Sequence, residues 1–309
     1  MPPIEVAAFY KFAHLPHFES LRDPLQALCD AHGAKGILLI AAEGINGTVA
    51  ATPGTMARVL AGIGAITSLH DIEHKTSHSD AMPFLRMKIR IKREIVTLGV
   101  PVDPLANVGA YVEPQDWNAL IADPDVVLLD TRNSYEVGIG TFQNAIDPQT
   151  TSFSQFPDYV RDNLDPARHK KIAMFCTGGI RCEKASSYLV AQGFGEVFHL
   201  KGGILKYLET VPQAESRWHG ACFVFDQRVA VTHGLEIAGI DLCRGCRSPL
   251  QPEDHAAPDY EEGVSCRHCA GSMTPAHKAS ARERQRQVRL AEARGSVHLG
   301  PARQDKDHA

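Results

Sequence analysis

The sequence predicts an α/β protein: a central parallel sheet flanked by helices, with a smaller α+β domain before it and a small metal-binding module after it. Three observations carry this prediction. Between residues 115 and 200 short apolar runs alternate with helix-like stretches, the pattern of parallel strands joined by crossover helices. Residues 1–98 instead place strand-like runs in pairs around two helical stretches. Beyond residue 220 the apolar runs shorten and two C-x-x-C pairs appear. At 309 residues, 44% hydrophobic and 22% charged, the chain has room for two or three domains with real cores. Its formal net charge of -4 excludes a uniformly basic nucleic-acid binder and confines any such role to local patches.

Residues 4–12 (IEVAAFYKF) read as a strand, 18–32 as a helix, 36–51 (GILLIAAEGINGTVAA) as strand, turn and strand, and 53–64 as a second helix. A short strand fits 72–76. Residues 85–98 (LRMKIRIKREIVTL) alternate with period two, so Leu85, Met87, Ile89 and Ile91 face a core while Arg86, Lys88, Arg90 and Lys92 form a basic stripe. Such a stripe is either the solvated face of an edge strand or a phosphate-contacting surface. Three prolines and little periodicity make 99–114 a linker.

The α/β domain, 115–220, takes a helix at 115–122 and strands at 126–130 (VVLLD), 171–175 (KIAMF) and 196–200 (EVFHL), with helices at 154–164 and 182–192 between them. A metal module follows at 221–275, then a basic helical or disordered tail at 276–309, with Arg282, Arg284, Arg286, Arg289 and Arg294 against two glutamates in 278–294. The N-terminal residues lack the order of a secretory leader, and no apolar run approaches the length of a membrane span, so a cytoplasmic protein with no membrane partner is expected.

Cys243-Arg-Gly-Cys246, nineteen residues, then Cys266-Arg-His-Cys269 has the spacing of a four-thiolate zinc site. Four thiolates close a tetrahedron, which predicts a structural ion. Eight cysteines in a chain of this length are too sparse for a disulfide scaffold, in keeping with a reducing compartment.

FCTGGIRC, residues 175–182, carries the reactive chemistry. A strand ending at Phe175 and a helix starting near Arg181 leave Cys176 in a glycine-rich connection at the carboxyl end of a parallel strand, where ligands of such sheets bind. Backbone N–H groups, the helix amino terminus and the Arg181 charge favour a thiolate or an oxyanion there. A buried cysteine at a strand end is commonly inert, but an inert one needs neither a permissive loop nor a cation. Four residues between Cys176 and Arg181 make a tighter loop than a phosphatase uses, which suits a smaller anion or a sulfane sulfur. Cys182 either resolves a disulfide or persulfide on Cys176 or fills space.

LLDTRNSYEVGIGTFQNAI (128–146), FCTGGIRCEKASSYLVAQGF (175–194) and VFHLKGGILKYLE (197–209) resemble the three signature stretches of a rhodanese domain. With AAEGINGT (41–48) before them and the cysteine pairs after, nearly the whole chain resembles the rhodanese-domain tRNA uridine(34) hydroxylase family. The resemblance implies a rhodanese-like sheet, a ferredoxin/acylphosphatase-like first domain and a zinc-ribbon-like module. It also implies oxygen-dependent hydroxylation of uridine 34 at C5, with molecular oxygen as co-substrate, the tRNA anticodon arm as partner, and Cys176 as essential nucleophile beside Arg181. Rhodanese-type sulfur transfer or persulfide carriage is the alternative. Neither a flavin nor a nicotinamide motif is present. Glu43 and Asn46 enter as substrate contacts by resemblance, although EGINGT also reads as a hairpin corner; Asp130 and Arg132 are expected to brace the loop as an ion pair. The sequence departs from most rhodaneses at residues 138–140, Gly-Ile-Gly, where a histidine is usual.

Overall fold

The computed structural model describes residues 3–295, which form two compact units, one ending at Ala238 and one beginning at Gly239. The first unit opens with β1 (Ile4–Phe12), α1 (Arg22–Ala31), β2 (Lys35–Ala41), β3 (Gly44–Ala51), α2 (Pro53–Thr67), β4 (His74–Ser79) and β5 (Met87–Ile91). Their sheet order is β4-β1-β3-β2-β5, antiparallel except for the β2/β5 pair, so the first four strands have the ferredoxin/acylphosphatase-like arrangement. Both helices cover one face of that sheet because their apolar residues recur at helical spacing: Leu25 and Cys29 in α1, and Met56, Val59 and Ile63 in α2. Pro53 opens α2 and Ser68, in the left-handed region, ends it.

β5 is five residues long, not the fourteen that the alternation of 85–98 predicts. Among the described residues its one neighbour, β2, ends at the hairpin into β3, so after Lys92 N–H bonds the Ile40 carbonyl no described strand continues beside it. Leu85, predicted to face the core, precedes the strand and is exposed, whereas Arg86, Lys88, Arg90 and Lys92 do lie exposed on and around this edge strand. The following residues turn inward: Ile95 packs with Phe12 and Ala41, and Leu98 joins the core of the next domain.

β6 (Ala110–Val112), α3 (Pro114–Leu120), β7 (Val126–Asp130), α4 (Ser134–Val137), β8 (Gly140–Phe142), α5 (Phe156–Asn163), β9 (Lys171–Phe175), α6 (Ile180–Ala191), β10 (Glu196–Leu200) and α7 (Gly203–Thr210) follow. The four-stranded sheet β6-β10-β9-β7 is parallel throughout. β7, β9 and β10 fall where the sequence places them. β6 lies inside the expected linker, where three residues on a sheet edge leave no legible alternation. One core, around Trp117, Phe142, Phe175 and Tyr207, fills one face of the sheet; the other face packs Phe156, Val160, Cys182 and Leu189.

Residues 221–238 correct the boundary expected at 220. β11 (Trp218–Gly220) pairs with β8, and the short strands β12 (Cys222–Phe223) and β13 (Ala230–Val231) pair with each other. Cys222, Val224, Val231 and Leu235 are built into the Trp117 core, so this segment belongs to the first unit. The second unit holds the hairpin β14 (Asp241–Leu242) and β15 (Pro249–Leu250), the four C-x-x-C cysteines and α8 (Pro275–Ala293). Of the expected tail, residues 296–309 lie outside the described residues.

Candidate active site and cysteine cluster

The Cys176 loop joins β9 to α6. Gly179, at φ 104°, occupies a backbone conformation that side-chain-bearing residues rarely adopt, and this turn aims its N–H back at the sulfur: Gly179 N donates to Cys176 Sγ at 3.1 Å. Helix α6 starts directly after, at Ile180, two residues earlier than the periodicity predicts. Cys176 is 1% exposed, and burial alone would hold it protonated. Burial is outweighed by the hydrogen bond that the Cys182 thiol donates to the sulfur, the Arg181 charge and the N–H groups of Cys182 and Gly179, which bring Cys176 down to about 5. Cys182 moves the opposite way, pushed up by burial and by the neighbouring thiolate. The two sulfurs therefore divide the labour, one anionic and one a thiol donor.

Arg181 does not point at open space. Its guanidinium makes a two-pronged pair with Glu136 at 2.7 and 2.8 Å and a further bond to Thr177 Oγ1 at 3.3 Å, all buried. Glu136 is fully buried at the start of α4, where its carboxylate also accepts the Asn133 N–H at 3.1 Å. Burial raises Glu136, but Arg181 and Arg132 more than offset this and hold it below the usual carboxylate range. Asp130 and Arg132 form the expected ion pair, at 2.6 Å and both wholly buried.

The sulfur faces a cavity of about 480 Å³ between the two sheets of the first unit, within the roughly 300–1,000 Å³ typical of ligand sites. Cys176 and Arg181 line one side; Tyr10, Asn46 and Lys75 from the first domain line another; Phe225 and Arg228 complete the rim. Phe225 is 58% exposed and sits edge-on to Phe223, which in turn packs edge-on to Tyr135. The first domain reaches the cysteine loop directly. Lys75 Nζ donates to the Gly178 carbonyl at 2.9 Å, and Tyr10 OH donates to Glu183 Oε1 at 2.7 Å. Burial raises Glu183 above the normal carboxylate range. Lys184, 2% exposed at its side chain, pairs with Glu43 at 2.8 Å and Glu94 at 2.6 Å.

In the second unit the sulfur atoms of Cys243, Cys246, Cys266 and Cys269 lie within 4.8 Å of one another. The Cys243–Cys269 and Cys246–Cys266 separations are 3.8 and 3.7 Å. A tetrahedral ion with bonds of about 2.3 Å to sulfur requires edges of about 3.8 Å, which these two separations match, while the other four lie within 4.8 Å. The cluster could bind metal as a closed four-ligand site.

Residues 4–95 match the family model described as UPF0176 acylphosphatase like domain, and residues 113–210 match the rhodanese-like domain. A tRNA uridine(34) hydroxylase from Brucella anthropi is 58% identical over 300 residues, covering 96% of this chain and 98% of that one; the protein of the same name from Brucella ovis gives the same values. The chain belongs to the tRNA uridine(34) hydroxylase family. Members bearing that name are enzymes. A rhodanese-like domain from an Anabaena protein, 18% identical, aligns with a TM-score of 0.29 over 36% of this chain and 78% of that one.

Several residues that the hydroxylase family resemblance brought forward have a structural task. Glu43 Oε1 accepts the Ile95 N–H at 2.7 Å and Asn46 Nδ2 donates to the Ile95 carbonyl at 2.9 Å, so the EGINGT corner clamps the inward-turning segment, with Asn46 also on the cavity wall. Within the departure at 138–140, Gly140 is sterically confined: a Cβ there would meet Ala221 backbone atoms at 2.5 and 2.6 Å, because β11 and the residue after it run alongside β8, whereas a Cβ on Gly138 would meet nothing closer than 3.4 Å. The arginines of α8 are largely paired: Arg282 with Glu261, Arg286 with Glu283, and Arg289 with Glu262. Two of these partners, Glu261 and Glu262, lie outside 278–294, so the charge count of that stretch does not show them. Tyr10, Lys75, Glu136, Glu183, Lys184 and Phe225 were not singled out by the sequence. Only Glu183 and Lys184 carried a signal, standing one turn into the helix after the cysteine loop.

Among the described residues no helix is long and apolar enough to cross a membrane.

Proposed function

We propose that this protein hydroxylates C5 of uridine 34 in tRNA, with molecular oxygen as co-substrate and Cys176 as nucleophile. The observation that carries the reading is the 58% identity over 96% of the chain to proteins named for this activity. It is supported by an activated sulfur on the wall of a cavity large enough for a nucleoside. Uracil is electrophilic at C6. Addition of the Cys176 thiolate there forms a C–S bond and moves the C5–C6 electron pair onto the C5–C4–O4 enolate, making C5 nucleophilic toward oxygen. Loss of the C5 proton and expulsion of the thiolate restore the ring. Transfer of one oxygen atom from O2, with the other leaving as water, takes two electrons from a reductant outside the chain.

In this scheme Arg181 and the loop N–H groups hold the thiolate, and Phe225 offers a face on which a base can stack. The exposed stripe Arg86, Lys88, Arg90 and Lys92 is the candidate contact for the anticodon-arm phosphates, in preference to the paired arginines of α8. The cysteine cluster is read as a structural zinc site, and the cytoplasm, where tRNA is modified, as the location. Rhodanese-type sulfur transfer would use the same cysteine but leaves the first domain and the metal module without a role.

Nucleoside analysis of tRNA from a strain lacking the gene, complemented with wild type or Cys176→Ala, tests the reading. Loss of 5-hydroxyuridine derivatives in the deletion, restored by wild type and not by Cys176→Ala, is expected. Intact hydroxylation with loss of thiolated nucleosides would transfer the assignment to sulfur chemistry.

A further inference from the structure

We propose that Lys75, contributed by the first domain, is a positioning residue for the Cys176 thiolate: by holding the Gly178 carbonyl it fixes the peptide unit whose N–H is donated to the sulfur. The Gly178 carbonyl and the Gly179 N–H belong to one trans peptide and point in opposite directions. The carbonyl accepts from Lys75 Nζ at 2.9 Å, and on the other side the N–H donates to Cys176 Sγ at 3.1 Å. A hydrogen bond at one end of an amide also polarises it, which strengthens the donor at the other end.

This peptide lies between two glycines, with Gly203 and Tyr10 packed close to it, and the hydrogen bond to its carbonyl comes from Lys75. No atom lies within 4 Å of where a Gly178 side chain would begin, and Gly179 sits at positive φ. A flip about the two flanking bonds would turn the carbonyl oxygen toward the thiolate and replace attraction by repulsion. Lys75 opposes that flip. The lysine is itself located by Tyr10, whose ring centroid is 5.2 Å from Nζ and whose hydroxyl abuts Gly179. Burial lowers the affinity of Lys75 for its proton, and the thiolate partly restores it. The consequence is that β4, about a hundred residues before the cysteine in sequence, completes the thiolate's surroundings, so a rhodanese domain alone would hold this cysteine less acidic.

The charged and titratable groups facing Cys176 are Arg181, Cys182 and Glu183 from α6, Tyr10 from β1, Glu136 behind Arg181 and Lys75 itself. A lysine acting only through space would change the thiolate without changing the peptide, so two readouts are needed. The full-length protein without RNA, as wild type, Lys75→Met and Lys75→Arg, is treated with iodoacetamide over a range of pH, and alkylation of the Cys176 peptide is followed by mass spectrometry. In parallel, hydrogen exchange of the Gly179 amide is followed by NMR. Lys75→Met is expected to raise the Cys176 midpoint by about one unit, a roughly tenfold loss of thiolate at acidic pH, and to speed Gly179 exchange several-fold. Lys75→Arg is expected to recover most of both. An unchanged midpoint in Lys75→Met, or a raised midpoint with unchanged Gly179 exchange, overturns the proposal. Should the Met variant fail to fold, Lys75→Leu, which also lacks a donor, serves the same comparison. The proposal rests on Cys176 acting as a thiolate nucleophile, yet neither readout involves tRNA. Retained hydroxylation in Cys176→Ala would therefore remove the nucleophile reading and leave the role of Lys75 to be decided separately.

Discussion

Replacing Glu136 with alanine removes one partner of a buried pair and leaves Arg181 charged at 7% exposure, with Thr177 Oγ1 as its remaining hydrogen-bond partner and Cys176 and Asp130 as nearby negative groups. Two charge-assisted bonds, at 2.7 and 2.8 Å, disappear, along with the acceptor for the Asn133 N–H. Breaking a buried pair on one side costs about 3–5 kcal/mol, because the remaining charge keeps its desolvation penalty. With a urea slope of about 1–3 kcal/mol per molar, the unfolding midpoint should fall by roughly 1–5 M. Both tryptophans of the chain, Trp117 and Trp218, lie in the adjoining core, so intrinsic fluorescence reports the unfolding of the relevant domain. The double variant Glu136→Ala with Arg181→Met should be less destabilised than the sum of the single changes. The dependence on pH has a definite sign: Glu136 titrates lower when folded than its ordinary 4.5, so its contribution is complete above that value and is lost as pH falls through the folded one. A Glu136→Ala midpoint within about 0.5 M of wild type would refute the claim that the pair anchors Arg181.

Three further outcomes follow from the same geometry. Alkylation of wild-type Cys176 by iodoacetamide should be half-maximal near pH 5, with Cys182 resistant through neutral pH; mass spectrometry of the two peptides checks both. Phe225→Ala should weaken tRNA binding by about 1–3 kcal/mol while leaving the Cys176 alkylation profile in the free protein unmoved, and filter binding beside that profile separates the two. The purified protein should carry one zinc per chain by elemental analysis, and Cys266→Ser, at a fully buried ligand position, should lose it.

Much of this was legible in the sequence, for local reasons. The strands at 4–12, 126–130, 171–175 and 196–200 coincide with β1, β7, β9 and β10 because each is a short apolar run ended by turn residues. The cysteine spacing located the cluster, since two knuckles are local motifs whose meeting needs no long-range information. The extent of β5 was hidden because alternation describes a residue's two sides and says nothing of whether a partner strand continues beside it. β6 was hidden by shortness. Around Cys176 the loop and Arg181 were readable, but Glu136, Tyr10 and Lys75 were not. They arrive from three other elements: Glu136 from α4 of the same domain, and Tyr10 and Lys75 from β1 and β4 of the first domain packed against it.

Lys184, enclosed between Glu43 and Glu94, ties the helix behind the Cys176 loop to two points of the first domain. Parting those surfaces would strip a buried ammonium of both its carboxylates, so the walls around Cys176 are held together by charge. If the proposed addition to C6 takes place at this sulfur, geometric adjustment falls on the RNA. A pyrimidine held in a duplex would then have to break its pair and its stack, at a cost of a few kcal/mol, to reach a thiol this deep, whereas a nucleotide already unpaired in a loop would avoid most of it. Under the proposed mechanism, discrimination between paired and unpaired uridines would be imposed by the recess before any base-specific contact is made.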